Sequence, residues 1–342
     1  MKLLIVTQMA DRSDPVMGFF HHWIEQLSKH CESVRVICLQ EGEHVFPQNV
    51  DVYSLGKEGG RSRAKYIWRF YTYIWKFRND YDAVFVHMNQ EYVLLGGFFW
   101  RLLRKRVILW RNHKKGSMFT RISGLLSHTV CYTSPSAYVA SFKNSVKMPI
   151  GIDTDMFKPR GNADPRSILF LGRLDAVKRP EMLLQALYLL AKKGVAFNAD
   201  VIGDPTPGRE AFAHELRKRF SSVPNVAFKP AIRNDETVSA YTSHRIYINL
   251  TPSGSFDKTI GEAAVSGCII VVGNDALRGV IPDELLVDVN SVDSVLRGIK
   301  FALDMNTQSQ EMLSRRLRGY ILEKHSLSLL SARLMELYGN CV

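Results

Sequence analysis

Cysteine is scarce in this chain, five residues in 342, and Cys31, Cys38, Cys131, Cys268 and Cys341 form no Cys-x-x-Cys pair. That scatter excludes a zinc knuckle and a disulfide framework, and it predicts reduced thiols, with Cys38, Cys131 and Cys268 as small apolar fillers of strand-like runs. Long apolar runs are missing as well. The opening MKLLIV stops at the polar TQMADRSD, too short for a signal-peptide core, and no segment reaches the ~18 uninterrupted apolar residues of a spanning helix, so a cytoplasmic chain is expected. The sequence has no His-Glu-x-x-His, no Walker phosphate loop and no Ser-His-Asp set, which leaves metalloprotease, ATPase and hydrolase chemistry without an anchor. Internal repeats of short period and low-complexity tracts are absent too.

Acidic residues are in short supply in one half only. Residues 1–160 hold 23 Lys and Arg against 13 Asp and Glu, while the remainder holds 22 against 20. The first half is therefore expected to face an anionic partner. The segment Arg61 to Arg78, RSRAKYIWRFYTYIWKFR, concentrates that charge. On a helix Arg61, Lys65, Arg69 and Lys76 fall along one side, Ile67, Tyr71, Ile74 and Phe77 are expected to face the core, and Trp68 and Trp75 flank the cations, a pattern suited to an anionic membrane surface and equally to a solvated helix face. Interleaved aromatics and cations also suit single-stranded nucleic acid, but no RNA-binding motif accompanies them, and nucleic acid is not expected as a partner.

What the chain has in plenty is short buried-strand runs. LLIVT, VRVICL, AVFVH, RVILW and HTVCYT, then SILFLG, ADVIGD, NVAFK, IYINL, CIIVVG and LLVDV, read as strands covered on both faces, with helical patterns between them. The fold class is α/β with two doubly wound domains. The polar, proline-bearing GIDTDMFKPRGNADPRS reads as the linker. Helices are expected near Glu181–Lys193, Glu210–Phe220, Glu236–Ser243 and Lys258–Ser266, and a helical pattern closes the chain from Gln308 to Tyr338.

Two stretches carry the chemistry: SILFLGRLDAVK at Ser167 to Lys178 and PSGSFDKTIGEAAVSG at Pro252 to Gly267. Arg173 and Lys178 follow a strand, at the sheet edge where open α/β folds bind ligands, and can neutralise phosphate charge; as solvated loop cations they would look the same. The helix opening near Lys258 and Thr259 offers backbone N–H groups to anionic oxygens, and Glu262 can accept hydrogen bonds from a ribose or stand as an ordinary helix carboxylate. Gly203 and Asp204 close another strand and can line the same cleft, and Ile232 follows a third strand, where it can offer apolar surface to a planar base. His113 stands just after RVILW.

These residues resemble a known family. LGRLDAVKRP, GSFDKTIGEA and GIDTDMFKP are similar to the marks of family 4 glycosyltransferases, retaining enzymes of the GT-B fold, with two Rossmann-like domains facing a central cleft. The resemblance implies an acceptor-binding domain at residues 1–155, a nucleotide-sugar-binding domain at 156–325, and a closing helix at 326–342 that crosses back to the first. It implies a nucleotide-sugar donor, such as a UDP- or GDP-sugar, with no further cofactor and no metal. It implies catalytic roles for Arg173, Lys178 and His113, and donor contacts from Gly18, Gly172, Gly203, Ile232, Gly254, Ser255, Phe256, Asp257, Lys258, Thr259 and Glu262. The sequence departs from the family at one point. The motif is Glu, seven residues, Glu; Glu262 fills the second place, but Gly254 stands at the first, where the transferred sugar is normally contacted. Asp257 or the backbone amides of Ser255 to Thr259 are expected to serve instead, the glycine turn letting the main chain come close. The acceptor implied is a glycan or a lipid-linked molecule of the cell envelope, reached from the cytoplasm, with the inner membrane face as a further expected location. A silent nucleotide-sugar-binding subunit and a nucleotide-sugar epimerase stand as the alternatives.

Overall fold

A computed structural model describes residues 1–161, 163–252, 254 and 256–339. The chain divides into two compact units, Met1–Gly151 with Leu327–Val342, and Ile152–Ser326.

The first unit is built on a parallel sheet of β1 (Lys2–Ala10), β2 (Ser33–Glu41), β3 (Val50–Ser54), β4 (Ala83–His87), β5 (Arg106–Trp110), β6 (Thr129–Tyr132) and β7 (Ser145–Lys147), in the order β3-β2-β1-β4-β5-β6-β7. Leu3, Leu4, Ile5 and Val6 are all fully buried, as a strand covered on both faces requires. The covering helices are α1 (Phe19–Ser28), α2 (Arg63–Lys76), α3 (Gln90–Leu102) and α4 (Met118–Leu126). On α1, Phe20, Trp23, Ile24 and Leu27 recur at helical spacing and are buried against the sheet. Two edge strands, β3 and β7, escape the apolar-run criterion because they are short and only half-covered.

The second unit holds a parallel sheet of β8 (Asp164–Leu171), β9 (Asn198–Ile202), β10 (Val226–Lys229), β11 (His244–Asn249) and β12 (Ile269–Val272), ordered β10-β9-β8-β11-β12. Its helices are α5 (Pro180–Lys192), α6 (Glu210–Arg219), α7 (Thr237–Thr242), α8 (Lys258–Val265), α9 (Val292–Asp304) and α10 (Thr307–His325). Proline opens α5, where its missing N–H costs nothing, and Leu183, Leu184, Leu187 and Leu190 bury its inner face.

Three sequence expectations are corrected here. LLVDV is not a strand: Asp283–Leu285 form a 3₁₀ turn and Leu286 makes a single bridge to Val272. The linker reading runs too far, since Asp164, Pro165, Arg166 and Ser167 already belong to β8. Ile67 and Tyr71 do not face the core; Phe70 and Ile74 are the buried residues of α2, while Ile67 and Tyr71 are exposed beside Trp68 and Trp75. The closing helical pattern breaks at Ser326, after which α11 (Leu327–Gly339) packs in the first unit. Leu327, Leu330, Leu334 and Tyr338 of α11 share one core with Trp23 and Ile24, and the Tyr338 hydroxyl donates to the Val84 carbonyl at 3.0 Å. Each fully buried leucine of that face contributes roughly 1.5–3 kcal/mol. The buried Cys38, Cys131 and Cys268 are free thiols whose pKa values burial raises.

Candidate functional site

In the second unit the strand order reverses between β8 and β11, and an open parallel sheet leaves a crevice at the carboxyl ends of such a pair. The ends of β8 and β9 are drawn together there. The Gly172 N–H donates to the Ile202 carbonyl at 3.0 Å, and the Leu174 N–H donates to the Asp204 carbonyl at 3.0 Å. Gly203 makes this approach possible: its φ is +151°, and a Cβ on it would stand 1.9 Å from the Gly172 carbonyl oxygen. No other residue fits that position without moving backbone. The Ala231 N–H donates to Asp204 Oδ2 at 3.0 Å, which ties the loop of half-buried Ile232 to the same edge.

Lys178 is held over this edge by groups from the other side of the reversal. Its Nζ donates to Asp257 Oδ2 at 2.5 Å and to Thr251 Oγ1 at 3.1 Å. Asp257 Oδ2 also accepts from the Thr251 hydroxyl at 2.8 Å and from Asn249 Nδ2 at 3.2 Å. Asn249 closes the network by donating to Thr259 Oγ1 at 3.3 Å. Burial pushes the Asp257 carboxyl upward, but the Lys178 charge and the bonds from Lys178, Thr251 and Asn249 outweigh it and hold the carboxyl below its ordinary value. The carboxylate is thus engaged in fixing the lysine. Asn249 and Thr251 were not singled out from the sequence; their one signal is that polar residues close the apolar run IYINL.

Arg173 is half-exposed, with its Nε 3.8 Å from Asp175 Oδ2. Asp175 in turn accepts from the Thr206 hydroxyl, and although burial opposes it, the Thr206 bonds and the Arg173 charge keep its carboxyl below the usual range. The Arg173 guanidinium thus lies within ion-pair range of Asp175 and, half-exposed, keeps donors for a ligand.

At the N-terminus of α8, Asp257 is the extended cap residue and Lys258 begins the helix. Lys258 is half-buried, and burial lowers its pKa to about 7, against the attraction of Glu262 one turn on. Glu262 is buried, and the Tyr241 hydroxyl donates to its Oε2 at 3.1 Å. Gly254 is buried with φ +139°, a conformation suited to glycine. Phe256 packs its ring 5.3 Å from that of His325. Ser255 lies outside the described residues. Lys178, Asp257, Thr259, Glu262, Gly172 and Gly203 thus gather about one sheet edge.

Gly18 and His113 belong to the first unit. Gly18 is buried at the start of α1, its N–H donating to the Asp14 carbonyl at 2.9 Å. His113 is exposed in the loop after β5 and accepts from the Lys115 N–H at 3.0 Å. Among the described residues one group has metal-ligand spacing, His21, His22 and Glu25 on α1. His21 does not suit an ion. Its Nε2 accepts from the Val45 N–H at 3.2 Å, so a neutral ring carries its proton on Nδ1, the atom that faces Glu25. Burial lowers the His21 pKa to about 4, and the ring stacks on Phe46 with centroids 4.1 Å apart.

Comparison with known proteins follows this division. Residues 165–304, within the second unit, match the model of the family described as Glycosyl transferases group 1. No curated protein matches the sequence. Among solved structures, HepE of Anabaena in complex with UDP and glucose superposes with a TM-score of 0.77 at 14% identity, over 99% of both chains. Sucrose-phosphate synthase of Thermosynechococcus elongatus gives 0.77 at 15% identity over 99% of both chains. WaaG, a glycosyltransferase involved in lipopolysaccharide biosynthesis, gives 0.69 at 12% identity over 98% of this chain and 99% of its own. The chain resembles group 1 glycosyltransferases in sequence over its second unit, and its fold is GT-B.

Proposed function

We propose that this chain, whose second unit carries the group 1 glycosyltransferase sequence, moves a sugar from a nucleotide-sugar donor to a glycan or lipid-linked acceptor with retention of anomeric configuration. The observation that carries the reading is the Lys178 ammonium, fixed by Asp257 and Thr251 at the strand reversal, with Arg173 on the same strand-end loop. The preorganised Lys178 cation, with the Arg173 cation of the same loop, is complementary to charge that develops on a leaving diphosphate and is more effective in the transition state than in the ground state. The Glu262 carboxylate, steadied by Tyr241, is the group for ribose hydroxyls.

With Gly254 in place of a carboxylate and Asp257 engaged by Lys178, no covalent sugar intermediate is proposed at this turn. The leaving phosphate oxygen takes the acceptor proton on the same face, and the new bond forms there as the old one breaks. The countercharge comes from Arg173 and Lys178, so the reaction proceeds without a divalent ion. HepE in its structures binds UDP and UDP-glucose, which makes a UDP-sugar the first donor to try. Gly254 favours one other reading, a binding subunit without turnover.

The test is a thermal-shift panel of UDP, GDP and their sugars, followed by nucleoside diphosphate release with and without candidate acceptors in EDTA. Stabilisation by a nucleotide sugar and acceptor-dependent release in EDTA are expected. Binding without release under any acceptor points to the silent subunit, and conversion of donor without acceptor points to an epimerase. Release that disappears with EDTA and returns with magnesium refutes the metal-free route.

A further inference from the structure

Helix α4 is folded inside out. Its capping box pairs Ser117 and Thr120, and its buried side is Thr120, Ser123 and Gly124, with Thr120 and Ser123 0% exposed. Its outer side carries Met118, Phe119, Ile122 and Leu125, with Phe119 62% and Leu125 78% exposed. The buried hydroxyls have partners within the helix: Ser123 Oγ donates to the Thr120 carbonyl at 2.9 Å, and the Thr120 hydroxyl accepts from the Ser117 N–H at 3.0 Å. Small residues on both helices let α3 and α4 approach closely, since a Cβ on Gly97 would stand 2.9 Å from that of Leu126. Folding thus leaves most of the apolar side of α4 uncovered, Met118, Phe119 and Leu125 above all. Four large apolar side chains in solvent on one nine-residue helix call for an apolar phase outside the chain.

The face continues over the neighbouring helices. Phe98 and Leu102, one turn apart on α3, are 74% and 71% exposed. The Arg101 guanidinium reaches from α3 to the Leu125 carbonyl at 3.2 Å, joining α3 to α4. On the other flank the Tyr71 hydroxyl of α2 donates to the Leu95 carbonyl at 3.0 Å, and Trp75 stands 5.8 Å from Phe99. Trp68 and Trp75 extend the apolar surface on α2. The charge on the three helices is predominantly of one sign: Arg63, Lys65, Arg69, Lys76, Arg101 and Arg121 stand against the single carboxylate of Glu91 at the start of α3, and between Glu91 and Asp153 the chain has ten Lys and Arg and no acidic residue.

We infer that the α2–α3–α4 face docks on an anionic lipid bilayer, with Phe119, Ile122, Leu125, Phe98 and Leu102 entering the acyl boundary and Trp68 and Trp75 at the headgroup level. A bilayer leaflet suits this surface because it offers apolar depth beneath a negative plane, whereas a folded partner of matching shape would need carboxylates aligned with cations spread over three helices. The docking stands on the first unit's surface alone. Its consequence, that the acceptor is presented by the membrane, rests on the transfer reaction proposed above.

The experiment is co-sedimentation of the full chain with vesicles of phosphatidylcholine alone or mixed with phosphatidylglycerol, with tryptophan emission recorded alongside. Trp23, Trp100 and Trp110 are buried, so a blue shift reports Trp68 and Trp75. Binding is expected to require phosphatidylglycerol, to weaken with salt, and to shift the emission to the blue. Phe119→Ser with Leu125→Ser should lower partitioning by about tenfold or more, through lost apolar burial, without lowering Tm, because both side chains are exposed. Ile24→Val, inside the core, serves as a control that leaves binding unchanged. Equal binding to neutral and anionic vesicles, binding unaffected by the double variant, or no binding would overturn the inference. So would a dimer in sedimentation velocity that the same variant dissolves while vesicles go unbound, since the face would then meet a second copy. UDP-sugar binding is measured separately on the same protein: vesicle binding without nucleotide binding leaves the docking standing and sinks the transfer reading, and the converse does the reverse.

Discussion

Lys178→Met removes a charge and keeps the length of the side chain. In the native chain Lys178 and Asp257 are 20% and 17% exposed with 2.5 Å between Nζ and Oδ2, so the variant strands a mostly buried carboxylate. Breaking a buried ion pair costs roughly 3–5 kcal/mol. Thr251 and Asn249 still donate to the same oxygen, at 2.8 and 3.2 Å, which places the expected loss at the lower end. For a unit of the length of Ile152–Ser326 about 3 kcal/mol corresponds to a fall in Tm of roughly 6–12 °C. Adding Asp257→Asn removes the stranded charge and leaves an amide oxygen to accept from Thr251. The double variant should regain most of the lost Tm and yet release nucleoside diphosphate about a hundredfold more slowly than the native chain, on the scale of losing one preorganised group. Thermal unfolding and initial rates on the native chain and the two variants decide it. A single variant that melts with the native chain would show that the pair holds nothing in place; a double variant that turns over at the native rate would remove Lys178 from the chemistry.

Three further outcomes are expected. Gly203→Ala places a Cβ 1.9 Å from the Gly172 carbonyl oxygen at φ +151°, so it should lose about 3 kcal/mol or more and bind nucleotide poorly; native stability in urea would contradict the close approach of the two strand ends. Glu262→Gln keeps the size and weakens acceptance from hydroxyls, so calorimetry should show nucleoside diphosphate affinity reduced by about 1–3 kcal/mol, while unchanged affinity would leave Glu262 as a partner of Tyr241 alone. His21 titrates near 4 when folded against 6.5 when unfolded, so the unfolded chain binds the extra proton between those values and stability falls as pH drops through that window, by about 3 kcal/mol in total. The difference in unfolding free energy between the native chain and His21→Phe should therefore vary from pH 7 to pH 4, and a difference independent of pH would show that His21 is not held neutral.

The α/β class and most strands were determined by the sequence, because strands covered on both faces have to be continuously apolar, as Leu3 to Val6 and Ile269 to Val272 are. The phosphate-facing candidates Arg173 and Lys178 were legible for a related reason: both stand in the loop that follows such a strand, and loop residues at strand ends are where open sheets bind. Pairing across the chain was decided only by the tertiary structure. Lys178 and Asp257 are separated by 79 residues and meet because β8 and β11 are neighbours, with Asn249 and Thr251 at the end of β11 completing the network. The apolar run LLVDV lost its strand for the same kind of reason, since beyond β12 a single bridge is all that Leu286 makes. Which side of an amphipathic helix turns inward is likewise undetermined by periodicity. In α4 serine and threonine hydroxyls find partners in their own helix and glycines allow close packing, so the small polar side could go in and the large apolar side out. Periodicity reports that two sides differ, and the neighbouring helix chooses between them.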